Sequence, residues 1–184
     1  MGNAAGMLCG WTDPKLSLNG RKQANVLMPA IFPNRNSFKK IYTSDMLRCE
    51  SFADISLGFN GVINERLLTT DKRLREINFG DHEGKNYDLL SREEKEEVDS
   101  IDYQAPNGES WMDVRMRFVN FMNELETGEI YCAFTHGGTI CSFTYDLGLE
   151  EIIKVGSAVG LSFDKNNTLN SDILFKWEFD ENMV

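Results

Sequence analysis

An α/β architecture, a sheet with helices on both faces, is the fold class this sequence predicts. Three observations predict it. Strand-length apolar runs alternate with helix-length segments along the chain. Residues 130–135 form an apolar run too short for a helix, which reads as a buried strand. That run passes directly into His136-Gly137-Gly138 and a further helix, a strand–loop–helix junction of the kind found in open α/β sheets.

Residues 1–14 read as a loop, punctuated by Gly2, Gly6, Gly10 and Pro14. A helix is expected from Ser17 or Leu18 to Phe32, with Ser17 as N-cap. Residues 38–42 are a short strand, and residues 45–57 a helix with Ser44 as N-cap. Residues 67–84 are irregular. Residues 87–98 read as a charged, solvated helix. The turn Pro106-Asn107-Gly108 leads into a strong helix over residues 109–125, where Ser110 and Asp113 fit a capping box. After the strand at 130–135, a helix is expected over 139–147. Two more strands are expected at 159–163 and 173–179.

The length, 184 residues, suits one domain and is enough to bury a core without staples. A net charge of −10 with no dense Lys/Arg run argues against a nucleic-acid surface. The apolar stretch at 131–149 is broken by His136, two glycines and Asp146, so no membrane span is expected. The first residues carry no signal-peptide pattern. Cys9, Cys49, Cys132 and Cys141 form no C-x-x-C pair, and the chain has only two histidines, so no metal site is expected. Scattered cysteines of this kind fit a reducing, cytoplasmic setting.

Three segments carry chemistry. His136 follows a strand and precedes glycines and a helix N-terminus, which offers N–H groups and a positive dipole end to an anion. Arg48 lies in the first turn of the helix after Ser44-Asp45, where an anion in front of the helix would offset an unfavourable cation–dipole contact. The loop Leu74-Arg75-Glu76-Ile77-Asn78-Phe79-Gly80-Asp81-His82-Glu83-Gly84-Lys85 packs acids between glycines, and a carboxylic acid there can protonate a leaving alkoxide. Each segment alone reads equally as a core histidine, a surface arginine and a polar loop.

Six pieces in order change that. They are Gly10-Trp11-Thr12-Asp13, Leu16-Ser17 with Gly20-Arg21 and Gln23-Ala24, Ser44-Asp45 with Arg48, the 74–85 loop, Pro106-Asn107-Gly108-Glu109-Ser110, and His136-Gly137-Gly138. In order and spacing the chain resembles the histidine phosphatase (phosphoglycerate mutase-like) superfamily from residue 3 to about 145. The resemblance implies a three-layer sheet with helices on both faces. It implies attack on a small phosphorylated substrate by a histidine in an Arg-His-Gly motif, without metal or other cofactor. By matched motif, His136 is the second phosphate-binding histidine, Arg48 the second phosphate-binding arginine and Glu76 the proton donor. Asn3, Cys9, Gly10, Arg48 and Gly137 would contact the substrate. An arginine fork suits phosphate oxygens, and His136 adds a donor when protonated. Glu76 must hold its proton at working pH, so burial or an anionic substrate must raise its pKa.

The sequence departs from the family at its start. Asn3 aligns with the Asn of a Thr-x-x-Asn segment that follows Arg-His-Gly, so the first strand and the nucleophilic histidine would lie upstream of Met1. The expectation is a truncated single domain over 1–184, missing its central strand, inactive, and prone to pairing along the exposed edge of residues 130–135. His82 stands where relatives often carry Trp and reads as a rim or exposed loop residue rather than a replacement nucleophile.

The 74–84 run looks more like the phosphatase branch than the glycolytic mutases. Mutase-type phosphoryl transfer and a non-catalytic phosphate-binding or interaction protein stay open. A cysteine hydrolase built on Cys132 and His136 is disfavoured, because residues four apart on a strand lie roughly 13 Å apart at about 3.3 Å rise each.

Overall fold

The computed structural model describes residues 6–31, 37–59, 68–149, 153–166 and 171–180. Helix α1 spans Leu18–Ile31. The Ser17 hydroxyl accepts the Gly20 N–H at 3.0 Å, so the expected cap is in place. The buried face of α1 carries Ala24, Leu27 and Met28. Strand β1 covers Lys40–Thr43, and α2 covers Leu47–Leu57. Gly58 ends α2 at φ 68°, returning its N–H to the Asp54 and Ile55 carbonyls.

Ser44 does not cap α2, contrary to expectation. Met46 holds the N-cap position and supplies no side-chain acceptor. Asp13 reaches across from a distant loop instead, taking the Leu47 N–H at 2.5 Å and the Arg48 N–H at 3.4 Å. Ser44 and Asp45 are engaged elsewhere, with His136 and Arg75 respectively.

The segment expected to be irregular contains a strand, β2, at Leu68–Thr70. It is too short for its apolar pattern to register. Three short 3-10 turns follow at Lys72–Leu74, Gly80–His82 and Tyr87–Leu89. The charged helix is shorter than expected. It is α3, Arg92–Val98, and its start is fixed by a reciprocal capping box between Ser91 and Glu94. Helix α4, Trp111–Asn123, begins on the expected Ser110–Asp113 box. Strand β3 is Tyr131–Phe134, and α5 is Gly137–Thr144, starting two residues earlier than expected and running into a 3-10 turn.

Strands β1, β2 and β3 form a parallel sheet in the order β2-β1-β3. Alternation along β1 separates two cores. Ile41 joins Leu27, Met28, Cys49 and Ala53 of α1 and α2 on one face. Tyr42 packs on the other face with Phe118, Phe121 and Phe143 of α4 and α5, meeting the Phe121 ring edge-on at 5.0 Å. A third cluster, Ile77, Phe79, Tyr103 and Val114, sits beneath the long loops. Helices thus cover both faces of the sheet, as the sequence predicts.

The sequence predicts a buried β3, yet only Phe134 is buried; Tyr131 and Cys132 are half-buried and Ala133 is exposed. Among the described residues its outer side borders a cavity rather than a neighbouring strand. Strands β4, Ala158–Ser162, and β5, Asp172–Trp177, pair antiparallel as a sheet of their own. Gly160 lies so close to the Phe175 ring that a Cβ would fall 2.2 Å from it. Among the described residues no helix is long and apolar enough to cross a membrane.

The Ser110 cap follows directly on the turn from Pro106 to Glu109, and the Glu109 carboxylate accepts the Asn78 N–H. Ser110→Ala should cost about 1 kcal/mol, lowering the thermal midpoint by about 2–4 °C for a chain of this size. An unchanged midpoint would show that the cap contributes nothing.

Candidate active site

The parallel pairing of β1 with β3 builds the site. Both strands end at the same level, and the Ser44 N–H donates to the Phe134 carbonyl just beyond them. Ser44 and His136 therefore emerge side by side at the carboxyl ends of the strands, where open α/β sheets place ligands. His136 Nε2 lies 3.0 Å from the buried Ser44 hydroxyl. His136 is also the N-cap residue of α5. The Gly137 N–H, at the first helical position, has no intrahelical acceptor.

Arg48 reaches the same cavity from α2. Its guanidinium donates to the carbonyls of Thr12 at 2.9 Å, Cys9 at 3.2 Å and Gly10 at 2.8 Å, and meets the Asp13 carboxylate at 3.4 Å. The loop around Gly10 is thereby wrapped on the arginine. Gly10 is confined there: a Cβ would sit 1.9 Å from the Ile77 carbonyl oxygen.

Glu76 lies opposite. Its carboxylate accepts the Ile77 and Gly138 N–H groups, both at 3.1 Å. Its own carbonyl is fixed by Trp11 Nε1 at 3.1 Å and by Arg117 at 3.0 Å. Gly138 has no room for a side chain, since a Cβ would stand 2.5 Å from Glu76 Oε1 and 2.8 Å from the Trp111 ring. The second glycine after His136 thus serves the acid, while the first leaves its N–H to the cavity.

Burial raises the pKa of Glu76, and the two N–H donors with Arg48 and Arg117 only partly oppose it. This is the direction a proton donor needs. His136 keeps part of its surface open to the cavity but is enclosed on its other sides. That desolvation, with the positive charges of Arg48 and Arg117, holds its pKa well below the ordinary imidazole value. The expected protonated donor is therefore a neutral imidazole in the ligand-free protein. A bound dianion would reverse the sign of the local field and favour the proton.

Of the residues singled out in the sequence, Arg48, Glu76, His136, Cys9 and Gly137 line one cavity, and Gly10 joins through its carbonyl bond to Arg48. Asn3 lies outside the described residues. Cys132 is no nucleophile for His136: burial pushes its thiol up to about 12. The Cys9 thiol is also raised by burial, despite Arg48 nearby. His82 stays away from the strand ends, its Nδ1 2.8 Å from the Tyr103 hydroxyl.

Sequence reasoning gave no role in the site to Glu83, Asp13, Arg117 or Glu109, and read Ser44 only as a helix cap. Glu83 accepts the N–H groups of Trp11 at 2.7 Å, Phe79 at 3.0 Å, Thr12 at 3.1 Å and Gly10 at 3.2 Å. Burial works against its charge, but hydrogen bonds from Thr12, Trp11 and Phe79 outweigh it and lower its pKa. Arg117 bridges the Arg73 and Glu76 carbonyls and the Glu109 carboxylate. The signal for Glu83 was its place between glycines. Arg117, on an otherwise ordinary amphipathic helix, gave none.

A sequence model of the histidine phosphatase superfamily (branch 1) matches residues 1–155 of the chain. The chain belongs to the histidine phosphatase superfamily. It is 28% identical over 172 residues to a phosphoglycerate mutase of Schizosaccharomyces pombe, covering 86% of this chain and 81% of that one. It is 31% identical over 114 residues to the fructose-2,6-bisphosphatase TIGAR of Xenopus tropicalis, covering 61% of this chain and 41% of that one. Phosphoglycerate mutase from Thermus thermophilus superimposes with a TM-score of 0.77 at 28% identity, covering 97% of this chain and 92% of that one. The histidine phosphatase relatives thus include both mutases and phosphatases.

The two shifted groups have opposite pH signatures. Below about pH 6.5 the unfolded chain takes up a proton that folded His136 resists, so its contribution to stability falls with pH. Glu76 holds its proton more tightly when folded, so its contribution is full at low pH and is lost as pH rises through the folded pKa. In an NMR titration without phosphate, the His136 ring should stay neutral down to well below about pH 6.5. Titration at or above that value would overturn this assignment.

Proposed function

We propose that these residues are the phosphate-holding and proton-donating part of a site for hydrolysis of a small phosphomonoester. In this reading Arg48, His136 and the Gly137 N–H hold phosphate oxygens, and Glu76 delivers the proton to the leaving oxygen. The observation that carries it is the carboxyl of Glu76, whose proton is favoured by burial although two arginines stand close by. That combination suits an acid facing an anionic substrate. The 74–84 segment favours phosphatase over mutase chemistry.

The phosphoryl acceptor histidine of the family is not among the chain's two histidines, since His136 fills the second role and His82 is bound to Tyr103 away from the strand ends. The 184 residues by themselves are therefore proposed to be inactive. A non-catalytic phosphate-binding protein on the same fold is the second reading, favoured by the same shortage of histidines.

No phosphoenzyme and negligible hydrolysis of p-nitrophenyl phosphate are expected from these 184 residues. Adding a strand that ends in Arg-His-Gly before residue 1 should bring turnover. Robust turnover by the unextended chain, abolished by His136→Ala, would sink the proposal.

Inorganic phosphate should still shift the Gly137 amide in NMR spectra. Arg48→Lys, which removes the planar fork, should weaken that binding by at least ~10-fold. Unchanged affinity in that variant would take Arg48 out of the phosphate site.

A further inference from the structure

The turn Pro106-Asn107-Gly108 is stitched back to back with the loop that leads away from Glu76. The Asp81 N–H donates to the Pro106 carbonyl at 2.8 Å, and the Glu109 N–H to the Asn78 carbonyl at 2.9 Å. The two backbones touch. A Cβ on Gly80 would stand 2.0 Å from the Pro106 carbonyl oxygen, and one on Gly108 2.3 Å from that of Asn78. One side-chain contact joins them as well, from Asn107 Nδ2 to the Asp81 carboxylate at 2.9 Å. An ionised carboxylate only accepts hydrogen bonds, so it is the amide N–H that faces it. Asn107 is exposed, and its φ of 56° lies in the left-handed region where asparagine is enriched among residues with a side chain.

Asparagine followed by glycine is the asparagine sequence most open to attack by its own backbone, because glycine leaves its nitrogen unshielded. That nitrogen attacks the asparagine Cγ. A C–N bond forms, the side-chain nitrogen leaves as ammonia, and a five-membered imide remains. Water then opens the ring at either carbonyl, giving aspartate or its isomer linked through the side-chain carboxyl. We propose that Asn107 is such a deamidation site, closed to attack by the folded turn, and that its conversion to an acid unstitches the loop behind Glu76. The Gly108 N–H is committed to the Ala105 carbonyl at 2.9 Å, and the packing of Gly108 on Asn78 and Gly80 leaves the backbone no room to swing onto Cγ. Attack therefore waits on opening of the turn. Once the amide is an acid, a donor has become an acceptor. Two acceptor-only carboxylates of like charge then face each other across the gap that one hydrogen bond spanned. The same turn leads into Glu109, whose carboxylate takes Arg117, and Arg117 fixes the Glu76 carbonyl. Deamidation and unstitching stand on this geometry alone. Only their consequence for proton donation by Glu76 rests on the proposed function.

The test ages the full chain of 184 residues in mildly alkaline buffer, folded and in urea, and follows Asn107 by peptide mapping with mass spectrometry. Conversion should be at least ~10-fold slower in the folded chain, and its rate should rise in step with amide exchange at Gly108 as urea is added below the unfolding transition. Asn107→Asp should speed amide exchange at Asp81 and Glu109 by at least ~5-fold and lower the thermal midpoint by about 2–4 °C. Combining Asp81→Asn with Asn107→Asp exchanges donor and acceptor across the gap and should restore both. Equal conversion in the folded and the urea-unfolded chain would overturn the closed site. Unchanged exchange in Asn107→Asp, or no recovery in the double variant, would overturn the coupling to the loop. None of these readouts is phosphatase activity, so failure here and failure of the proposed chemistry are separately visible.

Discussion

The carboxylate of Glu83 holds together what the strands alone leave loose. The segment from Cys9 to Asp13 has no regular secondary structure, and its backbone N–H groups at Gly10, Trp11 and Thr12 converge on this one side chain. With that segment fixed, three further contacts follow. Its carbonyls turn inward to Arg48, Asp13 is presented to the start of α2, and the Trp11 ring covers the Arg75 guanidinium at 4.7 Å while its N–H fixes Glu76. Arg75 is held from its other side by a two-pronged contact with Asp45, both bonds at 2.7 Å. A charge-assisted acceptor serving several backbone donors is among the stronger interactions available at a partly exposed position.

The chain is strongly acidic as a whole, yet two arginines stand at the cavity end of the sheet, Arg48 against the Asp13 carboxylate and Arg117 against that of Glu109. Arg48 and Arg117 both act on Glu76 and on His136, lowering the one and disfavouring the charged form of the other. The net charge of the whole chain thus says little about the balance of charge at this one place.

Much of this was legible in the sequence because local rules governed it. The Ser110–Asp113 box, the Ser17 cap and the His136-Gly137-Gly138 junction all lie where their spacing puts them. So do the candidate residues Arg48, Glu76 and His136, whose convergence follows from parallel strands ending at one level. What escaped was non-local. Ser44 has the composition of a cap, but its hydroxyl faces His136, and Asp13 takes over at α2 from 34 residues away. Strand β2, of three residues, is too short to show a period. Strand β3 reads as buried because its residues are apolar, but burial depends on neighbours on both edges, which a local pattern cannot report. The lowered pKa of His136 escaped for the same reason, since it depends first on burial among distant elements and then on arginines from α2 and α4.

Capping of α2 by Asp13 also bears on the order in which the molecule assembles. The helix that carries Arg48 has no adjacent side chain to start it, and its substitute belongs to a segment secured by a residue more than 70 positions further along. Long loops must close before these contacts reward the chain, and such contacts belong to the slow part of a folding reaction. The pairing of β1 with β3 is no more local, joining Thr43 to Phe134, so the cap of α2 and the sheet beside it both wait on the closure of long loops.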